Sequence, residues 1–179
     1  MKTFKQLLIK LNACEEAVKW AKNKTIEEVI QECNRGDWML WLAQKVNIGL
    51  QPLTLAKGHC ANTVRHLMEY ESSLKAVDTA IAYGEGKVSI EELNVAAADA
   101  ASYADTAVDA AAYTAADADT AADTAADAAA AAAASDYAAS DYAAYASNAE
   151  KKENQMLTAD ICRKYIGDLI IDKVNKLIK

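Results

Sequence analysis

Hydrophobic positions along this chain never alternate with a period of two for long enough to make a strand. They recur instead at helical intervals, most clearly at Leu157, Ile161, Tyr165, Ile166, Leu169 and Val174 within Met156–Ile178. Helix-start patterns sit at Thr3-x-x-Gln6, Asn12-x-x-Glu15, Thr25-x-x-Glu28 and Ser89-x-x-Glu92, where a side-chain oxygen can satisfy a free first-turn amide. Gly36 lies where a helix begun at Thr25 would stop, and Asp37 is placed to cap a helix over Trp38 to Val46. Gly49 is expected to end that helix, and Pro52, the only proline, suits the first turn of the next. That next helix is expected to pass through His59 and His66 to about Met68, with Gly58 a weak point. A further helix fits Ser73 to Tyr83 and stops at Gly84-Glu85-Gly86. The pattern predicts an all-α fold: a compact multi-helix bundle with short N-terminal helices and long Ala-rich helices packed closely. We read 1–179 as a single domain, with mixed short helices over 1–86, acidic Ala-rich helices over 89–149 and a C-terminal helix over 154–179.

The Ala-rich stretch changes the picture most. Residues 96–149 contain 30 Ala, and residues 88–149 carry 11 acids with no Lys or Arg. The whole chain has 19 basic and 26 acidic residues and a net charge of −7, so the rest of the sequence is +4. As one rod, Ile90 to Ser147 would be roughly 87 Å long, against about 40 Å for a compact domain of this length. The segment is therefore expected to fold back, with breaks at Asp117-Ala-Asp119-Thr120, at Ser135-Asp136 and at Ser147-Asn148. Asp119, Asp123 and Asp127 repeat every four residues and form one acidic stripe. Tyr137 and Tyr142 are five apart and cannot share a helix face.

An acidic block argues against unspecific binding to a nucleic-acid backbone, which needs clustered Lys and Arg. No apolar run approaches the roughly 18 residues of a spanning helix. Cys14, Cys33, Cys60 and Cys162 lack CxxC spacing and read as buried small apolar residues in a reducing compartment. Leu11-Asn12-Ala13-Cys14 has the form of a lipoprotein cleavage box, but Lys5, Gln6 and Lys10 before it break any apolar signal core. The expected location is the cytoplasm.

Candidate chemistry gathers on few residues. Trp38 and Trp41 can stack a planar ligand or anchor a protein partner, with Arg35 pairing a phosphate or carboxylate. The packing alternative, which we favour, has Asp37 capping a helix whose tryptophans fill the core while Arg35 bonds Asp37 or carbonyls. His59 and His66 would share one helix face about 10 Å apart, too far for one zinc, so no metal site is expected. Arg35, Arg65 and Arg163 are the only arginines among 19 basic residues. They either converge with His59, His66 and Lys57 on a phosphate-bearing ligand or each pair with an Asp of the acidic block, and the second is preferred. The stripe of Asp119, Asp123 and Asp127 reads as a solvated face, as a docking face for a basic partner, or as mimicry of a nucleic-acid backbone. No nucleophile elbow, phosphate loop or metal-ligand cluster occurs, and we expect neither an enzyme nor a cofactor.

Arg35-Gly36-Asp37-Trp38-Met39-Leu40-Trp41-Leu42-Ala43 resembles a family of bacterial immunity proteins associated with polymorphic toxin systems and also found among phage proteins. Leu11-Asn12-Ala13-Cys14 with Ala17 and Trp20, the Ala/Asp/Tyr block and Ala159-Asp160-Ile161-Cys162-Arg163 agree with it. The resemblance implies an all-helical protein that binds and neutralises a partner, and it carries no catalytic residues. The expected function is that of an immunity-type inhibitor of a basic protein toxin. The runner-up is a phage-type sponge for a nucleotide-like immune signal, held by arginines and an aromatic wall. A nucleic-acid-mimic inhibitor follows. No direct nucleic-acid or membrane contact is expected, and homo-oligomerisation is left open.

Overall fold

A computed structural model describes residues 3–68, 70–104 and 148–179. In chain order the helices are α1 (Phe4–Lys10), α2 (Glu15–Trp20), α3 (Ile26–Glu32), α4 (Gly36–Lys45) and α5 (Leu50–Asn62). A 3₁₀ turn over Arg65–Leu67 leads to α6 (Glu71–Gly84) and α7 (Ile90–Ala104). Then α8 (Asn148–Cys162) passes through a π-turn at Arg163–Gly167 into α9 (Asp168–Ile178). Among the described residues there is no strand, and the fold is all-α. The acidic stripe of Asp119, Asp123 and Asp127, the two inner fold-back points, Ser147 and the Tyr137/Tyr142 pair lie outside the described residues.

Local chemistry sets most helix starts. Thr3 and Thr25 close full capping boxes with Gln6 and Glu28. Ser89 does the same with Glu92, through amide bonds of 2.8 and 3.2 Å. Asn12 behaves differently from its pattern. It ends α1 in the left-handed region, φ 60°, while the Ala13 amide reaches back to the Leu8 carbonyl, and Cys14 precedes α2 without a side-chain cap. A short polar side chain tolerates that conformation, so Asn serves as a stop as readily as a start. Asn47, φ 56°, ends α4 in the same way, with the Ile48 amide on the Ala43 carbonyl. Gly49 is accordingly the N-cap of α5 and not the end of α4.

Gly36 and Gly58 have tertiary roles. Gly36 is the first residue of α4 and is buried against α8, where an added Cβ would meet Thr158 Oγ1 at 2.5 Å and the Thr158 carbonyl carbon at 2.7 Å. Gly58, expected to weaken its helix, is buried where α6 crosses, with Ile81 Cγ1 at 2.9 Å from the Cβ position. The principal core joins Leu7, Leu8, Ile26, Ile30, Met39, Leu42 and Leu53 to Ala159, Cys162, Ile166, Ile170 and Val174 of the C-terminal helices. Leu157 and Leu169 are instead exposed, at 49% and 41%. Leu157 stands two residues before buried Ala159 and so on the opposite face, while the π-turn adds a residue to one turn, so that the buried phase runs 159, 162, 166, 170, 174 and leaves Leu169 outside.

The first helix of the acidic segment packs as its alanines suggest. Ala96, Ala97 and Ala100 of α7 are buried, Ala100 against Ala76 of α6, while Leu93 fills the space beside Ala80. Each such contact removes little area from water, so the larger side chains of the principal core carry more of the burial. Lys75 of α6 approaches Asp99 of α7 at 3.9 Å across this contact.

Gly36→Ala should lower the unfolding free energy by about 2 kcal/mol, because backbone as well as side chain stands in the way of the methyl group. Gly49→Ala, which meets nothing nearer than Pro52 Cδ at 3.8 Å, should cost less than about 1 kcal/mol. Urea melts of the two variants test the difference.

Candidate functional site

The Arg35–Trp41 segment is the N-cap and first turns of α4. Asp37 lies in the first turn of α4 and is not its cap; Arg35 occupies that place and makes no side-chain cap bond. Its guanidinium instead forks onto Asp37, Nε to Oδ1 at 2.8 Å and NH2 to Oδ2 at 2.6 Å, with Glu16 at 4.0 Å. Asp37, hydrogen-bonded to the guanidinium, is the main reason the arginine is held even more firmly protonated than usual. The same group lies over the Trp38 ring at 4.6 Å. Solvent weakens both contacts, each contributing about 1 kcal/mol or less at such exposure. They fix the orientation of the side chain.

Trp38 and Trp41 do not fill the core. Met39, Leu42 and Ala43 do, and the two tryptophans stay half-buried along its margin. Trp20 of α2 meets Trp38 edge to face, centroids 6.1 Å apart at 62°. Lys24 lies over Trp20 at 5.0 Å and also pairs with Glu32. On one side of the Trp20–Trp38 contact lies an apolar cavity of about 230 Å³, lined by Phe4, Leu8, Val29, Ile30, Met39 and Trp41 among others, with Cys14 and Asp37 also on its wall. On the other side a more polar cleft of about 390 Å³ reaches Arg35, Lys152, Gln155 and Met156. The two share Trp20, Cys33 and Trp38, which separate them.

The three arginines do not meet in one pocket. Arg65 forks onto Asp78 of α6, at 2.5 and 2.9 Å. Arg163, at the π-turn, donates NH1 to the Cys33 carbonyl at 2.9 Å and pairs NH2 with Asp160 at 2.8 Å. Their described partners Asp37, Asp78 and Asp160 all lie outside the Ala-rich block, and the acids of residues 105–147, to which the expected pairing refers, lie outside the described residues. Among the described residues, each guanidinium pairs with an acid near in sequence or on the next helix. Arg163 does reach the α3–α4 link that carries Arg35.

His59 and His66 do not share a helix face, because α5 ends at Asn62 and His66 belongs to the following 3₁₀ turn. His66 is exposed. His59 is half-buried and stacked on Tyr165, with centroids 4.6 Å apart and planes within 5°. Lys57, two residues before it on α5, is buried. Among the described residues no group of three His, Cys, Asp or Glu side chains is placed to hold a metal ion, and no helix is long and apolar enough to cross a membrane. Sequence reasoning did not find Trp20 as part of the site, nor Tyr165 beside His59. Both depend on which helices touch, and nothing in the local sequence records that.

Burial, followed by the charge of Lys164, holds His59 below its ordinary 6.5, with Glu85 opposing. The folded protein thus prefers the neutral ring. The stabilisation is complete above the unfolded-chain value of 6.5 and is lost as pH falls from there through the lower folded value. Glu27 and Glu85 are held below 4.5, by Asn175 and Lys87 in the first place, so their contributions are lost in a lower window. Replacing His59 with Phe keeps a ring on Tyr165 and removes the proton. Denaturant melts should then show less stability loss between about pH 7 and pH 5 than wild type. An equal slope in both proteins would contradict the assignment to His59.

Comparison of the chain with protein-family models, with curated proteins and with solved structures finds no match.

Proposed function

We propose that this chain is a cytoplasmic, non-enzymatic binding protein of the immunity type, which neutralises a basic protein toxin in a bacterial or phage conflict. The observation that carries the reading is the Trp20–Trp38–Arg35 cluster beside a preformed apolar cavity of about 230 Å³. Half-buried Trp and Arg are the residue types that dominate protein interfaces, and a cavity of this kind takes up a large apolar side chain of a partner. Arg35 is oriented by Asp37 and Trp38 before any partner arrives, which lowers the entropy lost on binding. The acidic residues 88–149 would supply long-range attraction for a cationic partner and speed encounter without adding much to the lifetime of the complex.

A nucleotide-like ligand is the second reading. What favours it is Arg35 stacked on Trp38 at the edge of the cleft that Lys152 also lines. Against it stands the commitment of all three guanidiniums to Asp37, Asp78 and Asp160, which a phosphate would have to displace.

Trp38→Ala and Arg35→Ala are to be assayed for neutralisation of, and binding to, basic toxins of polymorphic toxin systems. Trp38→Ala should weaken binding about 30-fold or more, as expected for an interface anchor, mainly through faster dissociation. Changing Asp119, Asp123 and Asp127 to Asn should chiefly slow association and flatten its salt dependence. Undiminished neutralisation by both Trp38→Ala and Arg35→Ala would exclude this surface. A melting shift of several degrees with a nucleotide or cyclic dinucleotide, lost in Arg35→Ala, would replace the toxin reading with the second.

A further inference from the structure

Three of the four cysteines lie where α3, α4, α5 and α8 come together. Cys33 donates its Sγ proton to the Arg35 carbonyl at 3.6 Å, within its own link. Cys60, in the last turn of α5, and Cys162, the last residue of α8, face each other with Sγ atoms 3.9 Å apart. They are 102 positions apart in sequence, so only the docking of α8 on α5 makes them neighbours. Cys60 also points at the Thr158 carbonyl, 3.7 Å away, and Cys162 at the Gly36 carbonyl, 3.6 Å away. Cys60 is half-buried, whereas Cys162 is fully enclosed.

We propose that Cys60 and Cys162 form a reversible dithiol–disulfide pair, a covalent clasp between the ends of α5 and α8 that takes a low-molecular-weight disulfide as its oxidant. The difference in exposure assigns the roles. The Cys60 thiolate attacks one sulfur of the external disulfide; that S–S bond breaks, and the departing thiolate takes up the proton Cys60 has lost. Cys162 then attacks Cys60 Sγ, the mixed disulfide breaks, and the second external thiol leaves with the Cys162 proton. Two protein thiols are oxidised to one S–S bond, and the same two electrons reduce the external disulfide to two thiols. A Cys162 attack is hindered in the resting state, because its thiol is held well above the ordinary value, first by the hydrogen bond with Cys60 and then by burial. Capping Cys60 removes the first of these, and Arg163 beside it favours the thiolate. Cys14, exposed and on a different helix junction, and Cys33, turned to its own link, stand outside the pair. In a reducing compartment such a bond is transient and responds to the thiol–disulfide balance.

The closed loop would run from α5 through α6, α7 and the acidic segment to α8, and a loop of that length strongly restricts the unfolded chain. The melting temperature should rise by about 10 °C or more on oxidation. The test uses the full-length protein, reduced and then equilibrated with mixtures of reduced and oxidised glutathione, quenched, alkylated and weighed intact. The expected product has lost two hydrogens and two alkylatable thiols, yields one cross-linked peptide pair containing Cys60 and Cys162, melts higher, and reverts with dithiothreitol. Cys60→Ser, at the half-buried position, should abolish this product, while Cys14→Ser should keep it. The peptide map of the wild-type protein needs no variant and decides the pairing even if Cys162→Ser does not fold. A glutathione adduct on Cys60 that never resolves, a disulfide using Cys14 or Cys33 in preference, or four free thiols at the most oxidising mixture would each overturn the proposal.

Discussion

Everything that places the site depends on how closely α8 approaches α4 and α5. Helix axes come that near only where side chains are small, and the contact is built from Gly36 against Thr158, Ala159 fully enclosed, and Cys60 facing Cys162. A single methyl group at Gly36 would collide with backbone on the other side. Around this seam the polar groups are paired: Thr63 Oγ1 with Asn154 Oδ1 at 2.7 Å, and Arg163 with the Cys33 carbonyl at 2.9 Å. Close packing of this kind has one register, because sliding either helix by a residue would place a larger side chain where only a glycine or alanine fits.

The seam reaches the candidate site through one short segment. Residues 33–36 link α3 to α4. Their carbonyls accept from Arg163, from Cys33 itself and from Cys162, so α8 and the π-turn hold the link from behind. On its front face the same link presents Arg35, which Asp37 and Trp38 aim outward. The π-turn contributes by shifting the helical phase, so that Ile166, Ile170 and Val174 continue the buried face that Ala159 and Cys162 begin. A regular helix would have turned Leu169 inward.

How much of this the sequence revealed depends on the range of the interaction. Capping boxes at Thr3, Thr25 and Ser89 were legible, because all their parts lie within four residues. The Arg35–Asp37 fork was legible for the same reason. Asn12 and Asn47 were not, since an Asn in the left-handed region stops a helix and an Asn cap starts one, and the choice is set by what packs before and after it. Gly36 and Gly58 resembled helix breakers because the reason for their lack of a side chain lies on another helix. The Trp20–Trp38 contact, the His59–Tyr165 stack and the cysteine pair join residues that no local pattern connects. The arginines do not converge, and their described partners Asp37, Asp78 and Asp160 are near in sequence or on the next helix, which spacing alone ranks no higher than a distant acid.

The measurement that bears most directly on the role of α8 is amide hydrogen exchange in Arg163→Ala against wild type. If α8 holds the α3–α4 link, losing the bond to the Cys33 carbonyl speeds exchange in residues 33–39 and leaves the α5–α6 pair protected as before. Unchanged exchange in residues 33–39, or an equal increase through α5 and α6, would show that the link and its Arg35–Trp38 surface are held by something else.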